Sequence, residues 1–181
     1  MIVFSDESLL IHDLTERREG THQAIDQYQV RGGTALNDAL FDAMKRLSPV
    51  DGRRAVVLVT DGRDENGPGT GPGSRHSRAE VLSELRRVDA AVYSIGLGSS
   101  VDREGLEEFA RESGGEAFFP ELVRDLADDY RRVIQHLRRR YVATFLSSNT
   151  NRDGAWRAVE ITSRDPRVAI RSRGGYHAPA H

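Results

Sequence analysis

The stretch that decides the fold is AVVLVTDGRDENG, residues 55–67. An unbroken apolar run, Ala55 to Val59, leads straight into Thr60, Asp61 and Gly62. A continuous β-branched and aliphatic run bounded by polar residues reads as a strand covered on both faces, as in a parallel sheet. That strand places a carboxylate, Asp61, at its carboxyl end. An Asp-Gly pair after a strand is first of all a turn, so the neighbours of Asp61 decide whether it does more.

Upstream, Leu36, Ala39, Leu40, Ala43 and Leu47 repeat with helical period, which predicts a helix over 35–47 closed by Pro49 and Gly52. Gly32 and Gly33 break the chain just before it, after a short helix predicted over 19–29. "MIVF" and "LLIHDL", separated by "SDES", read as a β-hairpin. Downstream, residues 62–77 contain "NGPGTGPGS", which predicts a flexible surface loop, long for an α/β connection. Its glycines miss the phosphate-cradling pattern G-x-G-x-x-G, because Pro72 and Ser74 hold the final positions. A helix over 78–88, a buried strand "AAVYSIGLG", a helix over 101–112 capped near Asp102, and a strand "EAFFP" follow in order. The amphipathic helix expected over 121–140 gathers acids at its start (Glu121, Asp125) and arginines at its end (Arg138, Arg139, Arg140), the arrangement its dipole favours.

Strand and helix therefore alternate from 55 to 140, which implies α/β architecture with a parallel sheet and helices on both faces. After residue 140 the rhythm changes: "YVATFLS", "WRAVEIT" and "VAIRSR" read as three strands with no helix between them. The expected organisation is an α/β body over 1–140 and a small antiparallel β extension over 141–181. Trp156 is expected to cover the core beneath that extension.

The 181 residues carry 26 basic and 28 acidic side chains, a net charge of −2, so no global charge points to nucleic acid or anionic lipid. Lys45 is the sole lysine. No cysteine is present, which excludes disulfides and thiolate metal sites. No apolar run approaches the ~20 residues of a membrane span, and the first residues lack the pattern of an export signal. The cellular address stays open. The six histidines show no ligand spacing, and Pro179 separates His177 from His181.

In an open α/β sheet, ligands gather at the carboxyl ends of the strands. Asp61 is expected at one such end, and Thr34 at the start of a helix beside two glycines. A hydroxyl and a carboxylate meeting there are hard oxygen ligands, suited to magnesium, manganese or calcium. "GGTALNDAL" (32–40) followed by "VVLVTDGRDEN" (56–66) resembles the von Willebrand factor type A domain. "FSDESLLIHDLT" is similar to that domain's second and third strands. The closing "VAIRSRGGYHAP" resembles a bacterial subgroup first described in acidobacteria, whose longer members are exported. The resemblance implies a three-layer, Rossmann-like, mostly parallel sheet. It also implies a metal-ion-dependent adhesion site built from an Asp-x-Ser-x-Ser element, a threonine and an aspartate, with a coordination position left for an acidic residue of a partner protein. By resemblance Thr34 is the threonine and Asp61 the aspartate. Such a site grips proteins and needs no nucleophile.

The first element is missing. Asp6 and Ser8 have the Asp-x-Ser spacing, but Leu10 holds the next position. The resemblance thus implies a chain that starts after the family's first, central strand. Three readings stay open: a misplaced start, a natural remnant, or direct pairing of "MIVF" with "AVVLVT". With two protein ligands, the expected magnesium affinity is weak or absent. The function expected is a non-enzymatic protein-binding module. Its rivals are a metal-assisted hydrolase on a doubly wound fold and a ligand-free remnant that needs a partner strand.

Overall fold

A computed structural model describes residues 1–16, 18–28, 32–67, 69–139, 141 and 143–180. β1 (Ile2–Phe4) and β2 (Ser8–Leu10) form the antiparallel hairpin, with Ile2 opposite Leu10 and Phe4 opposite Ser8. α1 (Arg18–Gln27) and α2 (Leu36–Leu47) follow. β3 (Arg54–Thr60), β4 (Ala90–Gly96) and β5 (Glu116–Phe118) then alternate with α3 (Arg78–Arg87) and α4 (Arg103–Ser113). α5 (Leu126–Arg138) closes the body. Residues 29–31, 140 and 142, parts of three sequence expectations, lie outside the described residues.

The sheet of the body is parallel with β4 at its centre, in register from Arg54–Ala90 to Thr60–Gly96 on one side and from Tyr93–Glu116 to Ile95–Phe118 on the other. Alternate residues of β4 feed two cores. Val92 packs with Leu40, Met44, Leu85 and Phe109 beneath α2, α3 and α4. Tyr93 and Ile95 pack with Phe118 and Val133 beneath α5. The helix ends follow local chemistry. Ser77 and Glu80 form a capping box at α3. Asp102 caps α4 by accepting from the Gly105 N–H, and Gly114 ends it at φ +74°.

Four expectations need correction. β4 is the strand buried on both faces, whereas β3 leaves Val57 39% exposed. The reason is coverage: α5 roofs β4 and β5 but leaves β3 partly open on that face. β1 does not pair with β3; they belong to separate sheets. Between them runs a cavity of about 860 Å³, lined by Ile2 to Phe4 on one wall and Ala55 to Asp61 on the other. Its floor is α2, through Ala39, Leu40, Ala43 and Leu47.

The third correction concerns the tail. Among the described residues of 141–149 and 168–173 there is no strand. The extension consists instead of β6 (Trp156–Ala158) paired antiparallel with β7 (Gly175–His177). Strand propensity yields a strand only where a pairing edge and a packing surface are available. The 168–173 stretch is used differently: Arg171 pairs with Glu116 at 2.9 Å, and Arg173 pairs with Asp89 at 3.0 Å while donating to the Arg86 carbonyl at 2.6 Å. Trp156 lies under the Arg86 guanidinium at 5.5 Å and meets His177 edge-on.

The fourth concerns the long loop, which is pinned by carboxylates rather than loose. Asp64 accepts from the backbone N–H groups of Asn37, Gly73 and Ser74, each at 2.8 Å. Asp38 accepts from the N–H groups of Arg75 and His76 and pairs with the His76 ring at 2.6 Å, while that ring stacks on Phe41.

Candidate rim at the carboxyl end of the sheet

The rim forms where three pieces of chain meet above β3. The Thr34 N–H donates to the Glu65 carbonyl at 2.7 Å, in an isolated antiparallel bridge. The Ala35 N–H donates to the Ser5 carbonyl at 2.6 Å, which brings the end of β1 alongside. The Leu97 N–H donates to the Thr60 carbonyl at 2.8 Å, so the exits of β3 and β4 stay together.

Two glycines make this approach possible. A Cβ on Gly33 would lie 2.4 Å from the Glu65 carbonyl oxygen. A Cβ on Gly62 would lie 3.0 Å from the Thr34 Oγ1. The threonine hydroxyl therefore hangs directly over the turn that carries Asp61, and both residues line the mouth of the cavity between β1 and β3. The two residues singled out from sequence are thus brought to one place. Thr34 is not a helix cap, however. The N-cap of α2 is Ala35, without a side-chain bond, and Thr34 is held by its backbone bridge instead.

Sequence reasoning passed over Asp6 as a rim residue. Its carboxylate accepts from the Gly33 N–H at 2.5 Å. The signal was the acid directly after a strand, but the partner lies 27 residues away and nothing local announces it. Asp38 and His76 were also missed as a pair. Burial pushes the Asp38 carboxyl up, but the Arg75 and His76 N–H groups and the His76 ring outweigh it and hold the group below the ordinary carboxylate range.

The donor set is small. Thr34 and Asp61 offer one hydroxyl and one carboxylate, against the near-octahedral oxygen shell that magnesium demands. Among the described residues no group of three or more His, Asp or Glu stands close enough to hold a metal. The residues do not make up a complete cation cage. What they form is a hydroxyl- and carboxylate-bearing edge: Thr34 and Asp61 line the same cavity, and Asp6 is fastened to the Gly33 N–H beside Thr34.

A doubly wound α/β body with loops converging at the carboxyl ends of its parallel strands defines the class of protein. The particular family follows from comparison: a von Willebrand factor type A domain model matches residues 12–119, and the chain belongs to that family. Solved structures agree in fold. A von Willebrand factor type A protein from Catenulispora acidiphila superposes at TM-score 0.61 and 18% identity, over 72% of this chain and 31% of that one. The proximal thread matrix protein 1 of the mussel byssus superposes at 0.57 and 24% identity, over 75% and 33%. A further structure of the mussel protein, described as having a zinc-occupied metal-ion-dependent adhesion site, superposes at 0.54 and 22% identity, over 72% and 33%. At these identities the likeness is one of fold. The chain spans about a third of the length of these structures. No curated protein matches it in sequence. Among the described residues no helix is long and apolar enough to cross a membrane.

Proposed function

We propose that the chain is a non-enzymatic protein-binding module that meets its partner at the rim around Thr34 and Asp61, with a cation clasp too incomplete to hold magnesium, manganese or calcium tightly. The observation that carries this reading is the convergence of that hydroxyl and that carboxylate at one edge of the cavity. Domains of this family commonly mediate protein–protein interactions. A partner's acidic side chain would need a cation between itself and Asp61; without one, the same edge favours a basic partner surface. A catalytic reading would call for a nucleophile paired with a base near Asp61, and the sequence carries no Ser-His pair at a nucleophile elbow and no phosphate loop.

Calorimetric titration of magnesium into the purified chain tests the clasp. No saturable submillimolar binding is expected, and Asp61→Ala should leave the trace unchanged. Submillimolar binding abolished by Asp61→Ala would overturn the incompleteness. Turnover of simple phosphate or carboxylate esters, lost in the same variant, would overturn the non-enzymatic reading.

A further inference from the structure

We propose that Asn66–Gly67 is a spontaneous deamidation site that the folded loop holds shut, and whose reaction would unfasten the rim at Thr34. The chain has four asparagines; Asn37, Asn149 and Asn151 precede Asp, Thr and Arg, and Asn66 precedes glycine. With no Cβ on Gly67, its backbone nitrogen is free to approach the Asn66 side chain. The reaction needs only water. The Gly67 nitrogen gives its proton to hydroxide and attacks Cγ of Asn66; the bond from Cγ to Nδ2 breaks, and ammonia leaves with a proton from water. Water then opens the five-membered succinimide at either carbonyl. One opening gives aspartate. The other gives isoaspartate, in which the main chain runs through Cβ and Cγ and so gains a methylene.

The loop opposes the first step in two ways. Attack requires the carboxamide to turn its face to the Gly67 nitrogen, and hydrogen bonds near the amide plane hold it otherwise. Oδ1 accepts from the N–H groups of Thr70 at 2.9 Å and Gly71 at 3.3 Å, and Nδ2 donates to the Thr70 Oγ1 at 3.3 Å. The Asn66 backbone closes the same turn, donating to the Gly71 carbonyl at 2.9 Å and accepting from the Gly69 N–H at 2.8 Å. Asp64 fixes the exit of the loop through the N–H groups of Gly73 and Ser74. The second obstacle is charge. A carboxylate oxygen of Asp6 lies 3.6 Å from where a Cβ on Gly67 would stand, and it disfavours a negative charge on the neighbouring nitrogen.

The product matters because of where the bond lies. The Asn66–Gly67 peptide presses on the glycine that precedes Thr34: a Cβ on Gly33 would lie 2.7 Å from the Asn66 carbonyl carbon and 2.7 Å from the Gly67 nitrogen. No room remains there for a further main-chain methylene. Isoaspartate at 66 must push the chain off Gly33 and break the bridge between Thr34 and Glu65. Plain aspartate is tolerated, because its carboxylate accepts from the same two N–H groups. That the change would end partner binding rests on the Thr34–Asp61 reading; the gating of the reaction does not.

Trypsin, cutting after Arg63 and Arg75, releases the bond in one peptide, residues 64–75. In the full chain aged at neutral pH, the mass gain of amide-to-acid exchange in that peptide should appear at least about tenfold more slowly than in the same chain unfolded in urea, since three side-chain hydrogen bonds must part first. Asp64→Ala should bring the native rate most of the way to the unfolded one. Thr70→Ala deletes one of the three bonds and should raise the native rate several-fold; it carries the comparison alone if circular dichroism shows Asp64→Ala unfolded. In hydrogen exchange, the isoaspartate fraction should lose protection at the Thr34 N–H, while Asn66→Asp keeps it. Equal rates in native and unfolded chains, a native rate indifferent to the substitutions, a protected Thr34 N–H in the isoaspartate fraction, or its loss in Asn66→Asp would each overturn the proposal. These readouts need neither magnesium nor a partner, so their failure is distinct from failure of the Thr34–Asp61 reading.

Discussion

Asp38 shows how much one carboxylate can organise. It accepts from two consecutive backbone N–H groups and from the His76 ring, with a side chain 15% exposed. Asp38→Ala removes the anchor of residues 75–76 on α2 and should cost on the order of 2 kcal/mol, read from urea unfolding at pH 7. The sign with pH is fixed. The folded-state value lies below the ordinary 3.8, so the stabilisation is complete well above that value and is lost as pH falls through the folded value. The gap between wild type and variant should therefore narrow on going from pH 7 to pH 3. At this scale the turns that carry Thr34 and Asp61 were legible, because each residue stands beside glycines. Asp6 and the Asp38–His76 pair were not, since their partners lie 27 and 38 residues away. A short polar side chain carries no sign of which distant backbone it will satisfy.

Among the elements, the junction of α4 with β4 carries the sharpest consequences. The parallel ladder between β4 and β5 starts at Tyr93. The N–H of Val92, just before it, donates instead to the buried Ser113 hydroxyl at 2.9 Å. That hydroxyl bonds back to the Phe109 carbonyl at 2.8 Å. Ser113→Ala strands a buried N–H and should cost about 1–3 kcal/mol in thermal or urea unfolding. Gly115→Ala should lose more, because its Cβ would lie 1.9 Å from the Val92 carbonyl oxygen, a backbone atom that cannot swing aside. A Gly115→Ala protein as stable as wild type would show that the strand can slide here. Helical period and caps made α2, α3 and α4 readable to within a few residues. The double burial expected for β3 was misread because an apolar run shows what a strand can bury, not what will lie over it. The tail strands failed for the matching reason: propensity without an edge.

The whole molecule is a sheet with unlike ends. At the amino ends of its strands the tail crosses over and fastens itself through Arg173 to Asp89 and the Arg86 carbonyl, and through Arg171 to Glu116. Arg173 is 24% exposed and its ion-pair partner 64%, so the tie is partly screened. Arg173→Ala should cost about 1 kcal/mol and speed hydrogen exchange in 156–177 while leaving 90–96 protected. Family and fold were readable from the order of "GGTAL" and "TDG", because a doubly wound sheet imposes that order on its loops. A cavity separates β3 from β1. That β1 would leave it open could not be read, since pairing across it depends on where α2 seats the hairpin. The crossing tail also gives the molecule a compass direction. Anything joined beyond His177 departs from the pole opposite Asp61, so a molecule held to a surface by that end displays its acidic face outward, free for whatever arrives.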